Sequence, residues 1–298
     1  MTFQEWLNDS SKVILFDGGM GSEVIKRGLQ LGKLPDILNI EEPEVISEIH
    51  KAYYEAGSDM CQTNTFGANY LNLQNHKSED RIVQINVKAL ENIKKSKPLT
   101  ALIVGDIGPS GVFRPPIGKA SLEVWQTSFR KQVEILEKGV DLWHIETVSD
   151  IIEMQAAIRA IKEISSKPII SSMTYKQTKR GFFTIMGDPL VKCVQVQSDE
   201  GVDVIGSNCT LGSHEMVELT VEISKLTNKP ISIKPNAGKP RLEAGVKTVY
   251  DQTAQEFASD IMKIVDEGAK IVGGCCGTSP QTIKEIKMRL ENRNLVRE

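Results

Sequence analysis

Eight short runs of β-forming residues, each followed by a stretch with helical periodicity, constrain this chain more than any other feature. They are 13–18 (VILFDG), 60–66 (MCQTNTF), 102–108 (LIVGDIG), 142–148 (LWHIETV), 169–175 (IISSMTY), 204–210 (VIGSNCT), 231–237 (ISIKPNA) and 271–277 (IVGGCCG). Most are apolar and then turn polar at their C-terminal ends, the pattern of parallel strands covered on both faces. Between them, Pro43 to Ala56 carries Val45, Ile46, Ile49 and Tyr53 at helical spacing, with Gly57 as its stop. Asp80 to Lys95 and Leu122 to Lys138 follow, and Ser149-Asp150 forms an N-cap region before Ile151 to Ile164. Pro189 to Glu200, then His214 to Leu226 capped by Ser213, then Thr253 to Asp266, and a last helix with Pro280 in its first turn complete the series. Eight strand-then-helix units predict an α/β chain folded as a (β/α)8 TIM barrel. A doubly wound open sheet is the alternative, but no G-x-G-x-x-G follows a strand to support it.

The length of 298 residues suits one barrel domain spanning 1–298, and there is no linker or low-complexity segment to divide it. A formal net charge of -3 gives no sign of a nucleic-acid or membrane surface. The N-terminus lacks a basic region followed by a long apolar stretch, and no apolar run is long enough to span a bilayer. Five cysteines are too few for a secreted disulfide scaffold of this length, so a reducing, cytoplasmic setting is expected.

Three of those cysteines sit at strand ends: Cys209 after Gly206-Ser207-Asn208, and the adjacent Cys275 and Cys276 within Gly273-Gly-Cys-Cys-Gly277. Three thiolates brought together there would form a zinc site with one position open, and soft thiolate donors favour zinc over magnesium or calcium. Successive strand side chains point to opposite faces, so Cys275 and Cys276 can share an ion only if the backbone bends, as the flanking glycines permit. Two buried core thiols and a strained vicinal disulfide are the other readings. Cys61 and Cys193 lie away from strand ends and read as structural.

The other strand ends are polar too. Asp17-Gly18-Gly19-Met20-Gly21 is a turn whose N–H groups can cradle a carboxylate, or simply a tight turn. Glu146 faces the barrel mouth, where it can hold an ammonium by a charge-assisted hydrogen bond or cap the following helix. His144, two residues earlier, points the same way but deeper, and reads as a satisfied core histidine. His50, His76 and His214 read as surface residues. Lys234 is the lysine inside a strand that a barrel aldolase would need, but it has no evident activating neighbour.

These residues resemble the homocysteine S-methyltransferase family. The likeness runs from Phe16-Asp-Gly-Gly-Met-Gly-Ser-Glu23 to Gly273-Gly-Cys-Cys-Gly-Thr278, through Thr63-Asn-Thr-Phe-Gly-Ala-Asn69, Ile107-Gly-Pro109, Ile145-Glu-Thr147, Asn208-Cys209 and Pro235-Asn-Ala-Gly238. It implies a zinc-dependent barrel that methylates homocysteine to methionine. It places the zinc ligands on Cys209, Cys275 and Cys276. Substrate contacts fall on Asp17, Gly18, Gly19, Gly21, Glu146 and Asn208, with no catalytic residue beyond the zinc site.

Residues 63 to 69 look most like the homocysteine-binding domain of cobalamin-dependent methionine synthase. Betaine enzymes carry a tyrosine after the Thr-Phe, which helps cage the quaternary ammonium; here that position is Gly67. Rings for such a cage would have to come from Trp125, Trp143, Phe182 or Phe183. With the sequence ending at Glu298, a methylcobalamin donor would have to arrive on a separate corrinoid protein. The alternatives are a small onium donor, such as betaine or S-methylmethionine, and a corrinoid-partner methyltransferase that does not make methionine.

Overall fold

The computed structural model describes residues 2–28, 33–243 and 247–297. Eight parallel strands form one sheet: β1 (Ile14–Leu15), β2 (Met60–Gln62), β3 (Leu102–Ile107), β4 (Leu142–Val148), β5 (Ile169–Met173), β6 (Val204–Gly212), β7 (Ile231–Asn236) and β8 (Ala269–Val272). Each pairs with its sequence neighbours. β8 pairs with β1, and a parallel bridge from Phe16 to Met60 joins β1 to β2, which closes the barrel. All eight expected strands are present, and the open-sheet alternative is excluded by this closure.

Strand alternation sorts the side chains into two layers. Leu15, Cys61, Ile103, Trp143, Ile145, Ile169, Ile205 and Ile233 belong to the large apolar layer shared with the helices. Their neighbours Ile14, Phe16, Met60, Leu102, Val104, Leu142, Ile170, Val204 and Ile271 form a second cluster inside the barrel. Phe3 and Trp6, from the short N-terminal helix Phe3–Asn8, complete that cluster and plug one end. Two residues further along β2, β3, β4, β5 and β7, the interior register reaches Gln62, Asp106, His144 with Glu146, Ser172 and Lys234, all buried. The barrel interior is therefore apolar at its N-terminal end and polar at its C-terminal end, where (β/α)8 enzymes build their sites.

The helices lie close to their expected ranges, as Pro43–Glu55, Ile82–Lys94, Leu122–Leu136, Ile151–Lys162, Leu190–Asp199, Ser213–Ser224 and Ala254–Asp266. Gly57 follows the first of these with φ 104°, and the Asp150 side chain accepts from the Ile152 N–H at the start of Ile151–Lys162. One cap differs: Gly212, not Ser213, is the N-cap of Ser213–Ser224, and its N–H donates to Glu215. The Ser213 hydroxyl is instead drawn to Asp260 and Gln252. Two of the long loops contain hairpins, Lys176–Thr178 with Gly181–Phe183 and Pro240–Glu243 with Lys247–Tyr250. His76 and His214 are exposed as expected, but His50 is fully buried on the inward face of its helix, beside Ile46 and Ile49. Among the described residues no helix is long and apolar enough to cross a membrane.

Candidate metal centre and its cavity

Cys209, Cys275 and Cys276 converge, each half-buried, with their three Sγ atoms within 4.8 Å of one another. Cys209 Sγ and Cys276 Sγ are 3.9 Å apart. A tetrahedral zinc with Zn–S of about 2.3 Å would separate its sulfurs by about 3.8 Å, so this donor set fits the ion. The contacts with Cys275 and Cys276 hold the Cys209 thiol down at about 3, while the same contacts with Cys209 push Cys275 and Cys276 up. A divalent ion among the three sulfurs is what would let all of them ionise. The three cysteines are free and each is separate from Cys61 and Cys193, which are buried.

The adjacent cysteines are accommodated because β8 has already ended at Val272. The turn that follows is clamped from two sides. From β1 and the segment after it, the Asp17 carbonyl accepts from the Gly274 N–H (2.9 Å) and Ser22 Oγ from the Gly277 N–H (2.7 Å). From the end of β7, the Pro235 carbonyl accepts from the Cys275 N–H (2.8 Å) and Asn236 Oδ1 from the Cys276 N–H (3.1 Å). Gly19 is glycine because a Cβ there would lie 2.5 Å from the Cys275 carbonyl oxygen. Gly277 has φ 83° and packs against Tyr250. Cys209 is aimed differently. A bulge in β6 between Asn208 and Gly212 puts Cys209 (φ 58°) and Thr210 (φ 57°) in the left-handed region. Thr147, at the bulge in β4, has φ 62°. Of the four non-glycine residues with positive φ among those described, these three lie at the site, where strained backbone is commonly retained.

Beside the sulfurs is a cavity of ≈ 400 Å³. Its wall includes Gly18 to Ser22, Gln62, Asp106, Glu146, Lys234 and all three cysteines. A larger groove of ≈ 590 Å³ runs between the Lys176–Phe183 hairpin and Ser213–Ser224, away from this chemistry. Below the cavity a buried network organises the floor. Lys234 Nζ donates to Asp17 Oδ1 and to Gln62 Oε1, both at 2.9 Å. Burial alone would depress the Lys234 pKa, but the Asp17 and Glu146 carboxylates outweigh it and keep the ammonium charged. That pairing, which the sequence did not reveal, disqualifies Lys234 as an amine nucleophile. Because Gln62 Oε1 faces Lys234 and His144 Nδ1 (3.1 Å), its Nε2 must face Glu146 Oε1 (3.0 Å). His144 Nε2 meets Ser172 Oγ at 2.8 Å. Burial depresses the His144 pKa, so it is a neutral core histidine, as its sequence position suggests.

The residues picked out by sequence fall into two shells. Glu146, Gly18, Gly19 and Gly21 line the cavity. Asp17 and Asn208 stand behind it. The Asp17 carboxylate is taken up by Lys234 and by the Gln62 N–H (2.8 Å). Asn208 donates to Glu146 Oε2 (2.9 Å) and accepts the Thr147 N–H (2.8 Å), tying the β4 bulge to the β6 bulge. Glu146 does not cap a helix; Asp150 does. Burial pushes the Glu146 carboxyl up to about 7, against the pull of Lys234 and Gln62. Gln62 and Asp106 stand among the polar strand ends of the sequence, with no role assigned to either. Their signal was the interior register of β2 and β3, two residues beyond Met60 and Val104.

The family model described as homocysteine S-methyltransferase matches residues 14–290. The chain belongs to the homocysteine S-methyltransferase family. Its similarity to the methionine synthase of Mycobacterium tuberculosis is 30% identity, covering 95% of this chain and 25% of that protein. The chain thus spans about a quarter of the length of the methionine synthases it matches. Homocysteine S-methyltransferase 2 of Arabidopsis thaliana is 28% identical, covering 98% of this chain and 97% of that one. Among solved structures, the metallated form of the homocysteine methyltransferase MmuM from Escherichia coli superposes with a TM-score of 0.79 at 25% identity, over 94% of this chain and 97% of that one.

Proposed function

We propose that this chain is a zinc-dependent methyltransferase that moves a methyl group onto the thiol of homocysteine, giving methionine. The observation that carries this reading is the convergence of three cysteine sulfurs on the wall of a cavity that also holds a buried carboxylate, Glu146. Cys209, Cys275 and Cys276 would hold the zinc, whose Lewis acidity lowers the pKa of a substrate thiol below its free value of about 8.5. Glu146, fixed by Gln62 and Asn208, receives the ammonium. The substrate carboxylate is met by the turn after β1. There the Gly19 N–H is committed to Thr278 Oγ1, but Met20, Gly21 and Ser22 open a helix and have no intrahelical acceptor for their N–H groups. Holding both ends of the amino acid directs its sulfur to the cysteines and turns the transfer into an oriented, near-unimolecular step. The sulfur–methyl bond then forms as the donor's bond to methyl breaks, with no protein nucleophile required.

For the donor we favour a methylcorrinoid carried by a separate protein, with a small onium compound as the alternative. Support comes from the absence of a cage among the described residues. A Cβ on Gly67 would lie 2.7 Å from Asn72 Nδ2 and 2.8 Å from Asp36 Oδ2, so a larger side chain there would have to displace both. Trp125 and Trp143 are buried in the layer shared with the helices, and Phe182 and Phe183 line the other groove. Phe66 is the one aromatic on the cavity wall among the described residues. Apolar Phe66, Phe113 and Ile117 are exposed on the loops after β2 and β3, a surface that a separate donor protein could cover. Methionine formation from homocysteine is measured with methylcobalamin, betaine, dimethylsulfoniopropionate and S-methylmethionine in parallel. Methylcobalamin should outperform the others; rapid turnover of an onium donor with none from methylcobalamin would reverse the choice.

A further inference from the structure

We propose that Asp106 is a second anchor for the substrate ammonium, facing Glu146, and that the pair makes the cavity selective for amino thiols over thiols lacking the amine. This rests on the reading of the substrate as homocysteine. Asp106 is the last of the inward-facing residues Leu102, Val104 and Asp106 on β3, and it lines the cavity. It is 1% exposed. Its Oδ2 has a 3.3 Å contact from Gln62 Nε2, but its Oδ1 is buried and has no hydrogen-bond partner. A buried carboxyl oxygen without a donor is costly to leave unmatched, so the site is short of one positive hydrogen-bond donor.

The neighbours say what kind of donor fits. Ligand atoms of Asp106, Glu146 and His144 lie within 4.8 Å of one another, which on its own would suit a metal ion. Both ring nitrogens of His144 are already engaged, with Ser172 and Gln62, so the cluster offers only carboxylate oxygens. The charge count is also unbalanced. Lys234 is committed to Asp17 at 2.9 Å, leaving Glu146 and Asp106 side by side at the cavity floor. Burial, then the proximity of Glu146, pushes the Asp106 carboxyl well above its ordinary range. A primary ammonium has three N–H donors and one charge, and placed between the two carboxyls it satisfies the free oxygen and relieves their repulsion together.

Titration calorimetry on the zinc-loaded full chain tests this with two probes, L-homocysteine and its des-amino counterpart 4-mercaptobutanoate. Asp106→Asn should weaken homocysteine binding roughly ten- to a hundredfold, the range for a lost charge-assisted bond. It should leave 4-mercaptobutanoate within about twofold of wild type, by the same account. Equal loss for both thiols, or no loss for either, would overturn the assignment. Should Asp106→Asn not fold, Glu146→Gln serves: residual discrimination against 4-mercaptobutanoate is expected there, and its complete disappearance would leave Asp106 no role. Wild type that binds homocysteine while Asp106→Asn matches it removes Asp106 alone. Wild type that binds neither thiol removes the homocysteine reading, and this one with it.

Discussion

Residue by residue, the site works through groups that are each fixed by another. Glu146 is held by Gln62 on one oxygen and Asn208 on the other, and Gln62 is oriented in turn by Lys234. The carboxylate therefore needs little reorganisation to accept an ammonium. Glu146→Gln should weaken homocysteine binding by roughly 1.5–3 kcal/mol, the range for a charged hydrogen bond. Zinc content should be unchanged, because Glu146 touches none of the three sulfurs. Calorimetry giving wild-type affinity in the variant would remove Glu146 from the substrate site. The type and place of Glu146 and of the three cysteines were legible in the sequence, since each ends a recognisable strand. The partnership of Lys234 with Asp17 was not, because it spans 217 positions and depends on barrel closure. Nor was the burial of His50, whose helix packs both its apolar stripe and that ring inward.

At the scale of elements, two bulges and one clamped turn build the candidate metal centre. The sequence signalled the turn through its glycines, but the expected strand ran through the cysteines to 277, whereas β8 stops at Val272. It did not signal the left-handed backbone at Cys209, Thr210 and Thr147, since none of these is a residue type that favours it. It also suggested a cradle at Gly18 to Gly21 without distinguishing the glycines. The structure does. A Cβ on Gly19 would strike the Cys275 carbonyl, whereas a Cβ on Gly21 has nothing within 4 Å. Gly19→Ala should therefore displace the Cys275–Cys276 turn and lower zinc affinity about tenfold or more, the cost of about 1.4 kcal/mol of strain. Gly21→Ala should leave it within about twofold, in keeping with a surface change away from any packed feature. Competition titrations with a chelator read both, and equal affinities in the two variants would contradict the packing argument.

For the whole molecule, the alternation of strand and helix foretold the barrel, because an inside apolar end and an outside apolar layer leave few other closures. The polar floor carries a consequence for stability. Burial pushes Glu153, bonded to Ser110, up to about 7, as it does Glu146. Their unfolded values lie near ~4.3, so between about pH 4 and 7 the folded chain holds more protons than the unfolded one, and stability falls as pH rises. Thermal midpoints should decline from pH 5 to 8, and Glu153→Gln should flatten that decline; an identical slope in the variant would exclude Glu153 as a contributor. The proposed chemistry stands on three sulfurs holding one zinc. Metal analysis of the purified chain and of Cys209→Ala, Cys275→Ala and Cys276→Ala tests it most directly. About one zinc per chain is expected in wild type and little in each variant, for a three-thiolate site. Undiminished zinc in any variant, or a wild-type chain that takes up none, would contradict it.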